Sequence, residues 1–329
     1  MVSELAGVLK ATGHEAEVVA IPFNWNPAGR ITDHMLACRL LDLTTSCGET
    51  IDRIIAIKFP AYLAPHANKV IWLAHQHRAA YDGWYSGYSE LRAEAKGAQL
   101  RSMIRNADLN AMAEAKHVYT ISKNVSERLQ RFCGVASVPL YHPPPNWRAF
   151  HTGEYEGFLL VPSRITGSKR QKLILQALER TKSPVQLRFI GPAEGPLAAD
   201  RFRKMVAASP VADRVQWLGE VSEADKISAY ANCRGVVFAP VDEDYGYVTL
   251  EAMLSSKPVV TCTDSGGPLE FLRHNETGII CAPDPSEIAE ALERLWNDVG
   301  FAARLGKAGR EAYDAAEIGW ERPLECLLA

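Results

Sequence analysis

The sequence has no apolar run near the roughly 20 residues that a membrane-spanning helix requires. It has no C-x-x-C pair, and its seven cysteines, at 38, 47, 133, 233, 262, 281 and 326, are scattered without Cys/His ligand spacing. A disulfide scaffold and a zinc site are therefore not expected, and reduced thiols in a cytoplasmic protein are. No charge of one sign dominates: 36 basic against 39 acidic residues give a net charge of −3. That balance argues against broad electrostatic capture of nucleic acid. The G-x-x-x-x-G-K-S/T phosphate loop is missing. There is no internal repeat, no low-complexity tract, and no charged-then-apolar layout at the N-terminus.

What is present is ordinary globular composition, 47% apolar and 23% charged over 329 residues, enough for two domains. Short apolar runs alternate with helix-like stretches. Strands are expected at 18–21, 54–57, 70–73, 118–121 and 138–141, with helices at 2–12, 33–43, 89–115 and 123–132. The run HPPPNWRAFHTGEYEG, residues 142–157, then interrupts the pattern, because three prolines continue neither a helix nor a central strand. A second series follows, with strands at 158–161, 185–190, 215–218, 235–239, 258–262 and 278–281. Asp284, Pro285 and Glu287 read as a cap, a first helical residue and a capping-box partner for one more helix. This is an α/β chain with parallel sheets in two Rossmann-like domains, 1–145 and 158–329, joined by a linker at 146–157. A ligand cleft is expected at the carboxyl ends of the strands.

Four segments could carry chemistry. Ser163-Arg164-Ile165-Thr166-Gly167-Ser168-Lys169-Arg170-Gln171-Lys172 follows a strand and opens a helix. Cations there oppose the helix dipole unless an anion docks on the free amides; a solvated basic face is the alternative. Asp242-Glu243-Asp244-Tyr245-Gly246-Tyr247-Val248-Thr249-Leu250-Glu251 sets two glutamates eight apart across a strand-to-helix turn. Carboxylates accept hydrogen bonds from sugar and ribose hydroxyls, and helix-start amides suit phosphate; a plain acidic loop is the alternative. An EF-hand is excluded, since Gly246 takes its fifth position and Glu251 its tenth. Asp242-x-Asp244 has no supporting metal ligands. Thr263-Asp264-Ser265-Gly266-Gly267-Pro268-Leu269-Glu270 is a close-approach loop or a simple turn. His75-Gln76-His77 ends a first-domain strand, where a histidine is either structural or turned to the cleft.

In this order and at these distances, Arg164 with Lys169, Glu243 with Glu251 around Tyr245-Gly246, and Ser265-Gly266-Gly267 with Glu270 resemble the retaining glycosyltransferase family 4, of GT-B fold. The likeness covers most of residues 105–315, and the stretch around Ile121-Ser122 is similar to the family's first-domain exit. It implies that Arg164 and Lys169 bind the diphosphate of a nucleotide-sugar donor. Glu243 would touch the donor sugar and Glu251 the ribose. The backbone of Tyr245, Gly246, Tyr247 and Val248 would face sugar and phosphates, and Gly191, Gly219 and Val221 would line the nucleotide pocket. His75 matches a first-domain histidine near the donor sugar. Transfer with retention, without a metal or other cofactor, to a glycan, lipid-carrier or small-molecule acceptor is implied. A catalytically silent nucleotide-sugar-binding module and a GT-B sugar-nucleotide epimerase are the rival readings. Family members usually begin with a strand and a Gly-rich loop before the helix that here starts near Val2, so a first sheet without its first strand is expected. Peripheral membrane contact is an option for enzymes that act on lipid carriers, although no strongly basic amphipathic helix stands out. The aromatic run Tyr81-Asp82-Gly83-Trp84-Tyr85 is either an acceptor-stacking surface or a packed loop.

Overall fold

A computed structural model describes residues 1–85, 89–316 and 318–329. Its contacts divide the chain into two units: Met1–His142 with Gly319–Ala329, and Pro143–Ile318.

In the first unit, β3 (Ile54–Lys58), β4 (Lys69–His75), β5 (His117–Thr120) and β6 (Val138–Pro139) form a parallel sheet in the order β3-β4-β5-β6. A small antiparallel ladder, β1 (Thr45–Ser46) with β2 (Glu49–Thr50), stands apart from it. Val70, Ile71, Trp72 and Leu73 of β4 are fully buried, as a central parallel strand covered on both faces requires. The helices are α1 (Val2–Ala11), α2 (Ile31–Arg39), α3 (Glu90–Ala93), α4 (Gly97–Glu114) and α5 (Lys123–Cys133). The Ser122 side chain caps α5 by accepting from the Val125 amide at 3.1 Å, and Gly134 ends it in a left-handed conformation.

Two expectations for this half differ from the structure. Residues 18–21 form no strand; Val18 and Val19 are exposed and join no sheet among the described residues. The helix expected at 89–115 is broken between α3 and α4. A side chain at Gly97 would place its Cβ 1.8 Å from the Leu91 carbonyl oxygen, so the two helices meet where only glycine fits.

The last helix of the chain, α12 (Glu321–Leu328), groups with the first unit rather than the second. Arg53 donates to the carbonyls of Leu327 at 2.6 Å and Ala329 at 2.7 Å. The Trp320 ring meets Trp72 edge-on at 6.1 Å and lies 5.7 Å from His142. Burial among these rings pushes the His142 pKa down to about 3.

Tyr81 belongs to the packing of the first unit. Its hydroxyl donates to Asp108 at 2.6 Å, as that of Tyr62 does at 2.9 Å. Trp84 and Tyr85 lie against the Arg101 guanidinium, at 4.8 and 5.6 Å.

The second unit holds β7 (Leu159–Pro162), β8 (Leu187–Ile190), β9 (Val215–Trp217), β10 (Gly235–Val237), β11 (Val259–Cys262) and β12 (Gly278–Cys281). All are parallel, in the order β12-β11-β10-β7-β8-β9. Every residue of β7, β10 and β11 is buried. Leu159, Val161, Phe189, Val237 and Val260 join Ile174, Leu175 and Leu178 of α6 (Gln171–Leu178) in one core. Each such side chain contributes about 1.5–3 kcal/mol by leaving water. The remaining helices are α7 (Pro196–Ala207), α8 (Glu223–Asn232), α9 (Tyr247–Leu254), α10 (Pro285–Asn297) and α11 (Val299–Ala315). Asp284 caps α10 as its sequence predicts, accepting from the Ser286 amide at 2.8 Å. The Glu287 carboxylate, however, reaches past the cap to the Ala282 amide at 2.6 Å, not to the backbone of Asp284.

Candidate nucleotide-sugar site

The sheet order of the second unit reverses between β7 and β10, and the loops that leave these two strands flank that switch point. They carry the cations of the segment 163–172 and the first glutamate of the segment 242–251.

The first loop departs from the expected helix start. Residues Gly167–Lys169 form a single tight turn, Arg170 adopts a left-handed conformation, and α6 begins only at Gln171. Gln171 is buried and ties the loop down: its amide nitrogen donates to Ser163 Oγ at 3.0 Å and to the Arg164 carbonyl at 2.8 Å. Arg164 itself is exposed, and its guanidinium has no ion-pair partner among the described residues. Lys169 points inward. Its ammonium pairs with the Glu243 carboxylate and lies 5.4 Å from the Phe238 ring centroid at the end of β10.

The second loop is stitched to both neighbours by its backbone. The Val241 amide donates to the Ser168 carbonyl at 2.8 Å, that of Asp242 to Asp264 at 2.9 Å, and that of Glu243 to Ser265 at 2.9 Å. The Gly267 amide returns a bond to the Glu243 carbonyl at 2.8 Å. Arg170 and Asp264 add a two-pronged ion pair across the same edge, with one contact at 3.0 Å. The structure thus brings Lys169, Glu243 and the Gly266-Gly267 turn together. Arg170, Gln171 and Asp264 lie inside the segments that the sequence singles out, but no local signal assigns them these partners.

Gly246, with φ +87°, starts α9, and the helix has no side-chain cap. Its first turn contains Tyr247 and Val248. Among the described residues the Val248 amide has no hydrogen-bond acceptor, as expected of a first-turn donor. Tyr245 contributes backbone to this loop, but its side chain is buried, edge-on to Tyr247 at 5.4 Å and Phe271 at 5.6 Å.

Glu251, the fifth residue of α9, is 6% exposed. It accepts the Tyr230 hydroxyl at 2.6 Å and the Lys226 ammonium at 3.1 Å, both from α8. Gly191, just beyond β8, has positive φ and donates its amide to the Gly219 carbonyl at 2.7 Å. Trp217 Nε1 donates to the Gly191 carbonyl at 3.1 Å. Val221 is half-buried in the turn before α8. His75 lies in the first unit at the end of β4, where its Nδ1 is 2.7 Å from the Gln76 carbonyl.

Among the described residues, no group of three or more His, Cys, Asp or Glu is placed to hold a metal ion, and no helix is long and apolar enough to cross a membrane.

Strand order and loop placement define a doubly wound α/β unit, a class that takes ligands at its switch point. Comparison with known proteins agrees. The model of the family described as glycosyl transferases group 1 matches residues 146–312, and the chain belongs to this family. Alpha-1,3/1,6-mannosyltransferase ALG2 of Homo sapiens is 40% identical over 109 residues, 33% of this chain and 26% of that protein. The O-antigen chain mannosyltransferase C of Escherichia coli is 25% identical over 162 residues, 48% of this chain and 42% of that protein. The chain therefore spans between about a quarter and two fifths of the length of these curated relatives.

Sucrose-phosphate synthase from Thermosynechococcus elongatus matches in fold with a TM-score of 0.78 at 17% identity, covering 98% of this chain and 89% of that one. Anabaena HepE in complex with UDP matches with a TM-score of 0.70 at 17% identity, covering 98% and 88%. The fold is GT-B.

Proposed function

We propose that the chain transfers a sugar from a nucleoside-diphosphate donor to an acceptor, with retention at the anomeric carbon and without a metal. The observation that carries this reading is the convergence of Lys169, Glu243 and the start of α9 at the switch point of the second sheet. In the proposed reaction, the departing diphosphate is met by Lys169, by the exposed Arg164 swinging over it, and by the Val248 amide. Preorganised donors of this kind contribute several kcal/mol to lowering a barrier. Lys169 exchanges its Glu243 partner for phosphate, which releases the Glu243 carboxylate to hold sugar hydroxyls. Glu251 takes the ribose. The transition state is oxocarbenium-like, with front-face attack and a donor phosphate oxygen as proton acceptor.

Two relatives bear the name mannosyltransferase, which supports a mannosyl donor for this chain. The acceptor is a glycan or a lipid-linked glycan.

The test is incubation of the purified chain with GDP-mannose and, separately, UDP-glucose, in EDTA, with and without acceptor sugars. Transfer or slow hydrolysis of one donor supports the proposal, and NMR of the product's anomeric proton reads retention. Binding without turnover points to the silent module. Donor isomerisation without acceptor points to the epimerase.

A further inference from the structure

Glu251 is held by two side-chain donors from one neighbouring helix. Each of its oxygens receives one donor from α8: Oε2 from the Tyr230 hydroxyl at 2.6 Å, and Oε1 from the Lys226 ammonium at 3.1 Å. Lys226 and Tyr230 are four residues apart and so stand on one face of that helix. Both are themselves fixed. Lys226 also pairs with Glu223 at 2.9 Å, and its ammonium lies 5.6 Å from the Phe150 ring, which meets the Tyr230 ring edge-on at 5.6 Å. Tyr230 is fully buried. Burial pulls the Lys226 pKa down, but the two carboxylates outweigh it and leave the ammonium charged. Burial and the adjacent Glu251 push the Tyr230 pKa well up, so the hydroxyl keeps its proton. Both groups are therefore permanent donors. An ionised carboxylate has about four lone-pair sites. The two donors from α8 take one on each oxygen and leave one on each, a match for a vicinal diol.

We propose that Lys226 and Tyr230 are positioning residues that orient the Glu251 carboxylate toward the 2′ and 3′ hydroxyls of a ribose, so that α8 sets a preference for ribonucleotides over deoxyribonucleotides. The inference rests on the nucleotide-sugar reading of the same site. Neither residue touches the ligand. Each acts by fixing one carboxylate oxygen, and removing either lets the carboxylate rotate away from the diol.

The experiment is calorimetric titration of the full chain with UDP and 2′-deoxy-UDP, and with GDP and 2′-deoxy-GDP. The variants are Tyr230→Phe, which keeps the ring against Phe150, and Lys226→Met, which keeps the stem at a partly exposed position. Inorganic pyrophosphate is the control ligand. Wild type should prefer the ribose form about 10- to 100-fold, the span of one hydrogen bond to a charged group. In each variant the preference should shrink at least fivefold while pyrophosphate affinity stays the same, a split that mere loosening of the core would not produce. An unchanged preference in both variants overturns the proposal, as does a wild type that binds both forms equally. A wild type that binds none of the four nucleotides is a different result, which removes the donor-site reading itself.

Discussion

Lys169 and Glu243, 74 residues apart, form an ion pair at the carboxyl edge of the second sheet, joining the loop after β7 to the loop after β10. In the proposed reaction a diphosphate competes for the ammonium, and the donor sugar offers hydroxyls to the carboxylate. Glu243→Ala is therefore expected to leave affinity for free nucleoside diphosphate equal to wild type or somewhat higher, since Lys169 loses a competitor. Turnover of the sugar donor should fall at least tenfold. Titration with GDP or UDP beside a donor-consumption assay checks both, and parallel losses in the two would contradict the division of roles.

Gly267 is pressed against the loop that carries Glu243. A Cβ at this position would stand 2.6 Å from the Tyr245 carbonyl oxygen and 2.9 Å from that of Asp244, both backbone atoms that cannot step aside. Gly267→Ala should cost about 1–3 kcal/mol in stability, as overpacking does, and displace the turn that bonds Glu243. Thermal unfolding of the variant should show a melting point several degrees below wild type. An unchanged melting point would mean the loops adapt freely.

Trp320 anchors the chain's last segment on the first unit. It is 7% exposed and its ring meets Trp72 and His142. Trp320→Ala should destabilise that unit by about 3–5 kcal/mol through the cavity left behind. Chemical denaturation followed by fluorescence reads the change, and a loss below about 1 kcal/mol would be inconsistent with the packing.

His142 and Asp108 titrate with opposite consequences. The His142 pKa is lowered to about 3 by burial, so the folded state keeps the ring neutral. Stability from this group is complete above the ordinary histidine value near 6.5 and declines as pH falls toward 3. The Asp108 pKa is raised to about 6 by burial, against the pull of its hydrogen bonds from Tyr81, Tyr62 and Gln76. Here the folded state binds the proton more tightly, so stability rises as pH falls from about 6 toward the unfolded carboxyl value near 4. The two partly offset each other between pH 4 and 6. Asp108→Asn should remove the compensating term and make the loss of stability on acidification steeper across that interval. Denaturation midpoints at pH 4, 5, 6 and 7 test it; parallel profiles for variant and wild type would refute the assignment.

The second sheet was legible because each of its strands is a short apolar run ending in a glycine-rich or charged loop. Residues 278–281 match β12 in full, and residues 158–161 and 258–262 miss by one residue at their ends. The first half was less so. Val18 and Val19 look like strand residues but join no sheet among the described residues, and pairing is a tertiary event that local preference does not encode. The break before α4 depends on how Gly97 meets Leu91, again a contact invisible to periodicity. At the site, Lys169, Glu243 and Glu251 stood out by charge beside glycine. Tyr230 did not, and Gln171 and Asp264 lay in singled-out segments without an assigned role, since their importance comes from partners up to 94 residues away.

In the proposed reaction, side-chain cations of the second unit grip a nucleoside diphosphate without a metal. Calorimetric titration of GDP and UDP in EDTA, into wild type and Lys169→Ala, tests it most directly. The account predicts binding of one nucleotide to wild type, undiminished by EDTA, and affinity about 10- to 100-fold weaker in the variant, the effect of one lost hydrogen bond to a charged group. Equal affinity in the two proteins, or binding by wild type only after a divalent cation is restored, would contradict it.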